Sequence, residues 1–377
     1  MKFTASSADL LEALNTVNRA VPSKSTMPIL ECVLFEREGD TLRLSATDLE
    51  ISIVQTVSVQ FETNGTPEST PIAVPAQRLL DTLRALPDLP IEFSAGGDFE
   101  IRMETDQGHY KMVGHDGEDY PELPELEGQH EINVEGGLLN RAIDKTAFAV
   151  SQDALRPAMM GVYFQMGTED TRVVATDGHR LVKLDLPELT TETDVNFIVP
   201  EKATKLAGRI VEDDEVCTIR VDEGHVSFDF ENARVLARLI DETYPNYEAV
   251  IPDENDRRLV VTREDMLNAV KRVGLYSSSM TNQIRLDITS DTVTISAEDV
   301  ERSSEAEEMI RCDYDSEDME IGFNSEYLTE VLSNVTSDEV VFQLSSPNRA
   351  GIVLPQEQEE GEDILMLIMP VMLNTYA

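Results

Sequence analysis

Residues 175–181 read Ala-Thr-Asp-Gly-His-Arg-Leu and put an acid, an imidazole and a guanidinium on one short stretch after an apolar run. Glycine and aspartate favour a turn there. Such a turn could carry acid–base chemistry, with His179 as the base and Asp177 as its orienter. No nucleophile accompanies the pair, and neighbouring residues on a turn rarely form a catalytic couple. The competing reading is a structural turn with a hydrogen-bonded Asp or His. Other catalytic signatures are missing: there is no GxxxxGK[ST] phosphate loop, no GxGxxG, no HExxH and no GxSxG. Carboxylate pairs are everywhere, so none of them singles out a site. Cys32, Cys217 and Cys312 are far apart and odd in number. That suits a reducing cytoplasm and argues against a disulfide framework. Without a CxxC pair, and with scattered histidines, no metal site and no cofactor are expected.

A second stretch, 364–373, reads Ile-Leu-Met-Leu-Ile-Met-Pro-Val-Met-Leu. It is too short to cross a bilayer as a helix. It reads as a buried strand of the last repeat, with Pro370 at a strand end or edge. Its methionines also suit an adaptable apolar pocket that accepts varied partners. No basic n-region followed by an apolar run opens the chain, so neither a signal peptide nor a membrane partner is expected.

Charge is the odd feature. A formal net charge of −43 normally argues against nucleic-acid binding. The acids are spread along the whole chain and lysine is scarce beside arginine, which points to a surface adapted to high salt and a halophilic source. The bases are less evenly placed. Arg19, Arg78, Arg84, Arg141, Lys145, Lys202, Lys205, Arg209, Arg263, Lys271 and Arg272 fall on or beside a few helical segments. They read either as ordinary helix-surface charge or as one face of each repeat that meets a polyanion without sequence preference.

The elements that must position these residues recur three times. Leu10-Leu11 with Leu14, Leu138-Leu139 with Ala142, and Met266-Leu267 with Val270 share one spacing at intervals of 128 residues. The i, i+1, i+4 pattern marks one apolar helix face. Ser6 and Thr262 stand as N-caps with an acid in the first turn. A second helix follows Val74-Pro75, Val199-Pro200 and Phe323-Asn324. Strands are expected over 29–35 and 41–45, 160–164 and 171–174, and 284–288 and 292–296. Each pair ends in Ala-Thr-Asp or Ala-Glu-Asp, at 46–48, 175–177 and 297–299. Tyr120-Pro121 and Tyr244-Pro245 repeat at the junctions. The chain is therefore expected to be three α+β repeats of roughly 125 residues, at 1–125, 126–251 and 252–377.

In these motifs the sequence resembles the β subunit of bacterial DNA polymerase III, the sliding clamp family. The likeness runs from Met1-Lys2-Phe3-Thr4 through Pro28-Ile29-Leu30, 46–50, 74–76, 175–181, Tyr244-Pro245 and 319–324 to Met369-Pro370. It implies three clamp domains, each with two inner helices and outer antiparallel sheets. Two chains would close head to tail as a homodimer, a ring of six domains around double-stranded DNA. The resemblance implies a binding protein with no enzyme activity, a cytoplasmic partner of the replicative DNA polymerase, the clamp loader and other proteins with clamp-binding peptides. The peptide pocket it implies is lined by Met159, Thr176, Gly178, His179, Arg180, Leu181, Pro245, Val250, Leu367, Met369, Pro370 and Val371. The DNA contacts it implies are Lys24, Gln152, Arg156 and Lys202. The chain departs from the family pattern after Met-Pro, where Val371-Met372-Leu373 and residues 374–377 follow, and in being far more acidic.

Overall fold

The computed structural model describes residues 1–62, 70–126 and 129–373; the C-terminal extension 374–377 lies outside the described residues. Among the described residues there are six α-helices: α1 (Ser7–Val17), α2 (Ala76–Ala85), α3 (Gly136–Thr146), α4 (Glu201–Ile210), α5 (Arg263–Gly274) and α6 (Ser325–Ser333). Their starts follow the sequence. The Ser6 hydroxyl accepts the Ala8 and Asp9 N–H groups at 3.1 and 3.3 Å. The Asn324 side chain accepts those of Glu326 and Tyr327 at 2.9 and 3.1 Å. Thr262 differs: it occupies the cap of α5 but its hydroxyl makes no cap bond, so Glu264 and Asp265 serve that end through their charge alone. Leu10, Leu139, Met266 and their i+4 or i+3 partners are buried, as one apolar face per helix requires.

The strands match their expected places with one recurring shift. Pro28–Glu31 and Pro157–Met160 are single 3-10 turns, and the strands begin only afterwards, at Cys32–Glu38 and Gly161–Met166. Proline fixes a helical φ and lacks the N–H a strand ladder would need, so it starts a turn at both places.

The described chain folds as two compact units that follow hydrogen bonding rather than repeat boundaries. The first holds Met1–Asn140 and Lys202–Leu239; the second holds Arg141–Glu201 and the described residues from Ile240 onward. The first contains a five-stranded and a nine-stranded antiparallel sheet, the second a twelve-stranded array. In each unit a strand of one repeat pairs with a strand of the next. Ile51–Ser58 lies antiparallel to Ala233–Arg238, with Ile51 opposite Ala237. Arg180–Leu186 lies antiparallel to Asp363–Ile368, with Leu181 opposite Leu367. Stacked phenylalanines fill the cores, Phe3 with Phe93 and Phe35 with Phe93 in the first unit and Phe164 with Phe197 in the second.

Candidate functional site

All twelve residues expected to line a pocket belong to the second unit. Their frame is the turn after strand Thr171–Thr176. Thr176 Oγ1 donates to the Arg180 carbonyl at 2.6 Å and accepts the Gly178 N–H at 3.1 Å. Asp177 Oδ1 accepts the N–H groups of His179 and Arg180 at 2.8 and 2.9 Å. The first repeat builds the same turn, where Asp48 Oδ1 accepts Glu50 and Ile51 at 3.1 and 2.8 Å. In the third, Asp299 accepts Glu301 and Arg302 at 3.1 and 3.2 Å. The aspartate is thus a folding element of every repeat. It caps backbone amides and pairs with Arg180 Nε at 3.2 Å, while the His179 ring stacks on Tyr327, centroids 5.8 Å apart. The acid–base reading of Asp177 and His179 gives way to the structural turn.

Gly178 is favoured by its backbone: its φ is +86°, in the left-handed region, while the Arg156 guanidinium 2.6 Å from where a Cβ would stand is a flexible end that can swing aside. Arg180 turns inward. Its guanidinium is bound to Glu330 and to the Phe148 carbonyl at 2.8 Å, and lies over the rings of Phe148 and Tyr327. It ties the turn to α6.

The C-terminal segment closes against this turn. Met369 N–H donates to the His179 carbonyl at 2.8 Å, and Val371 N–H to Gly322 on strand Met319–Asn324 at 2.8 Å. Pro370, which has no N–H, sits between the two bonds. A Cβ on Gly322 would meet the Val371 carbonyl at 2.6 Å, so this close approach needs glycine. Leu181 and Leu367 lie buried beneath, in one cluster with Val174, Ile198, Tyr244, Tyr247 and Ala350. Thr176 is also buried, Met159, Pro245 and Pro370 are half-buried, and Gly178, His179, Val250 and Met369 are exposed. The result is an apolar floor with a partly exposed methionine rim.

Three tyrosines missed as site residues complete the wall. Tyr163 and Tyr244 stack at 4.5 Å, with Tyr247 edge-on to both. Tyr247 Oη donates to Gln165 at 2.8 Å. Burial raises the Tyr244 phenol well above its usual range. The Tyr-Pro repeat was the available signal for Tyr244; nothing in the sequence marked Tyr327 or Glu330 as supports of Arg180.

The residues expected to meet DNA are placed differently. Lys24 stands exposed in the loop after α1. Lys202 is ion-paired with Asp48, Gln152 donates to Glu201 at 2.6 Å, and Arg156 pairs with Asp153 at 3.0 Å. Other helix bases are engaged within the chain. Arg141 and Lys145 hold the buried Glu362 at 2.8 and 2.6 Å, and Arg272 holds Glu308 through two bonds of 2.7 and 2.6 Å. Lys145 is buried by this pairing, whereas Arg141 and Arg272 stay more than half exposed beside their carboxylates.

Burial pushes the Cys32 and Cys217 thiols up to about 11 and about 12, so neither offers a thiolate nucleophile near neutral pH. No cluster of metal-ligating side chains occurs among the described residues, and no described helix is long and apolar enough to cross a membrane.

The fold defines a triplicated α+β protein in which a repeated Thr-Asp turn lies, in the second unit, beside a buried apolar cluster. Comparison with known proteins narrows this. Residues 1–124, 133–246 and 248–372 match the N-terminal, central and C-terminal domains of the DNA polymerase III beta subunit. The beta sliding clamp of Caulobacter vibrioides is 31% identical over 375 residues, covering 97% of this chain and 99% of the relative. That of Pseudomonas putida is 30% identical, covering 99% and 100%. A Pseudomonas aeruginosa sliding clamp solved bound to griselimycin superposes with a TM-score of 0.92 at 29% identity, covering 99% and 100%. The Bacillus subtilis clamp gives 0.91 at 25% identity, covering 99% of each chain. The chain belongs to the DNA polymerase III beta subunit family, the beta sliding clamps, a non-catalytic processivity subunit with a three-domain fold.

Proposed function

We propose that this chain is a DNA sliding clamp that encircles duplex DNA and tethers the replicative polymerase and other partners by their clamp-binding peptides. The carrying observation is the match of three successive clamp domains over nearly the whole chain. The repeats are read as 1–125, 126–251 and 252–377, and the working form as a homodimeric ring. Two strand edges support that ring. His109–Val113 is the outer strand of the five-stranded sheet, with Val113 65% exposed. Ser304–Tyr314 pairs on its second side only at Cys312, Asp313 and Tyr314 among the described residues. The first edge carries Lys111, the second Glu305 and Glu307, so head-to-tail pairing would join opposite charges.

DNA would be held loosely by Lys24, Gln152, Arg156 and Lys202. Because Arg156 and Lys202 already face carboxylates, cations and water would mediate much of the contact, and sliding would persist in high salt. Partner peptides would enter the pocket over Leu181 and Leu367, with Met369 and Val250 as adaptable rim. The acidic surface fits a halophilic cytoplasm. Light scattering at high and low salt tests the assembly. Twice the 42.0 kDa chain mass in high salt is expected; a monomer at every salt concentration would remove the topological mechanism.

A further inference from the structure

The two Tyr-Pro junctions are built alike but filled differently. In the second unit, Tyr163, Tyr244 and Tyr247 pack together against one sheet face. The matching positions in the first unit are Leu34, 129 residues earlier on the strand, and Tyr120 and Leu123, 124 residues earlier on the linker. Tyr120 is buried, its hydroxyl donating to the Cys32 carbonyl at 3.2 Å. The other two rings are replaced by leucines, and a groove of about 1120 Å³ runs past both of them. Half-buried Leu123, Leu126 and Phe230 line it. Its rim is acidic, with Glu38, Glu122 and Glu125 exposed. The two guanidiniums on the lining, Arg43 and Arg234, are already held by Glu36 and Asp229.

We propose that this groove is a second docking site, which takes a short basic segment of a partner protein with apolar anchors spaced by lysine or arginine. The anchors would occupy the room that two tyrosines fill at the other junction, and the cations would meet the glutamates of the rim. Charge selects the occupant. A nucleic-acid backbone would be repelled by the same carboxylates, and in the proposed ring a second copy is already engaged through the edges His109–Val113 and Ser304–Tyr314.

The test uses the full chain and a short labelled synthetic peptide alternating Leu and Arg, followed by fluorescence anisotropy, with a Leu–Glu peptide as control. The Leu–Arg peptide binds and the control does not. Leu123→Tyr fills the groove without changing charge and weakens binding by about tenfold or more. Glu122→Lys combined with Glu125→Lys weakens it similarly, and added salt weakens it further. Leu181→Ala, in the other pocket, leaves it unchanged. Equal binding of both peptides would mean that charge plays no part, full affinity in Leu123→Tyr would mean diffuse attraction to an acidic surface, and either would overturn the proposal. Loss of binding in Leu181→Ala would place the peptide over Leu181 and Leu367 and overturn it as well.

Discussion

Removing the charge of Glu362 isolates one buried interaction. The Glu362 side chain is 3% exposed and bonds Lys145, 9% exposed, at 2.6 Å, with Arg141 at 2.8 Å on its other oxygen. Lys145 has one further acid, Glu359, at 3.1 Å and 39% exposed. Glu362→Gln keeps the shape and leaves the Lys145 ammonium buried against a screened partner. Breaking one half of a buried pair costs about 3–5 kcal/mol; partial compensation by Glu359 brings the expectation to about 2–3 kcal/mol. Lys145→Met should cost a similar amount. The double variant Lys145→Met with Glu362→Gln should cost no more than either single change, a coupling of about 2–3 kcal/mol, because each change alone already breaks the buried pair and the partners left behind, Arg141 and Glu359, are 51% and 39% exposed. Urea unfolding of the whole chain in high salt, followed by circular dichroism, reads the midpoint of each variant. Salt screens this pair little because it is buried. A wild-type midpoint for Glu362→Gln, or strict additivity in the double variant, would refute the reasoning.

Leu181→Ala with Met369→Ala removes floor and rim of the peptide pocket and should weaken a clamp-binding peptide by about 10–100-fold, read by anisotropy, with the oligomer mass unchanged. Unaltered affinity would refute the pocket assignment. Leu49 holds the position of Gly178 in the first repeat at φ 78°, 55% exposed. Leu49→Gly should therefore be neutral or stabilise by up to about 1 kcal/mol, whereas Gly178→Ala should destabilise by about 1–2 kcal/mol; chemical denaturation compares them. The Glu359 carboxyl is held below its usual range, first by a hydrogen bond from Thr336 and then by Lys145. A depressed folded pKa gives stability that is present above the ordinary glutamate value of about 4.3 and lost as pH falls through the folded value. Glu359→Gln should flatten that acid limb in a pH series of unfolding midpoints; an unchanged limb would assign it to other carboxylates.

The recurring elements were legible because repetition amplifies weak local signals. Ser6, the Val-Pro pairs and the Thr-Asp turns each mean little alone, yet their common order exposed three α+β repeats. Pro28 starts a 3-10 turn that holds Ile29–Glu31 out of the strand which the β-branched Ile29 by itself suggests. Leu181, Leu367 and Met369 came from the family resemblance of 175–181 and Met369-Pro370; the fold buries the first two in one cluster and leaves Met369 exposed. The environment of Arg180 was not legible. Phe148, Tyr327 and Glu330 are brought to it by pairing between distant strands and helices, and no spacing in the chain encodes that meeting. The fate of the helix cations was hidden for the same reason: Lys145 and Glu362 are 217 residues apart.

The pairing of Ile51–Ser58 with Ala233–Arg238 has a consequence for biosynthesis. When the first repeat leaves the ribosome, that strand has Thr41–Thr47 on one side and no neighbour on the other. Its missing neighbour has yet to be translated: Thr56 finds Asn232 across 176 residues of chain. At about 5–20 residues per second, the nascent edge stays open for roughly 10–35 s. A bare strand edge of that duration invites pairing between neighbouring chains on one messenger. The carboxylates that crowd this sequence repel such encounters, so they protect the protein during its manufacture as well as afterwards.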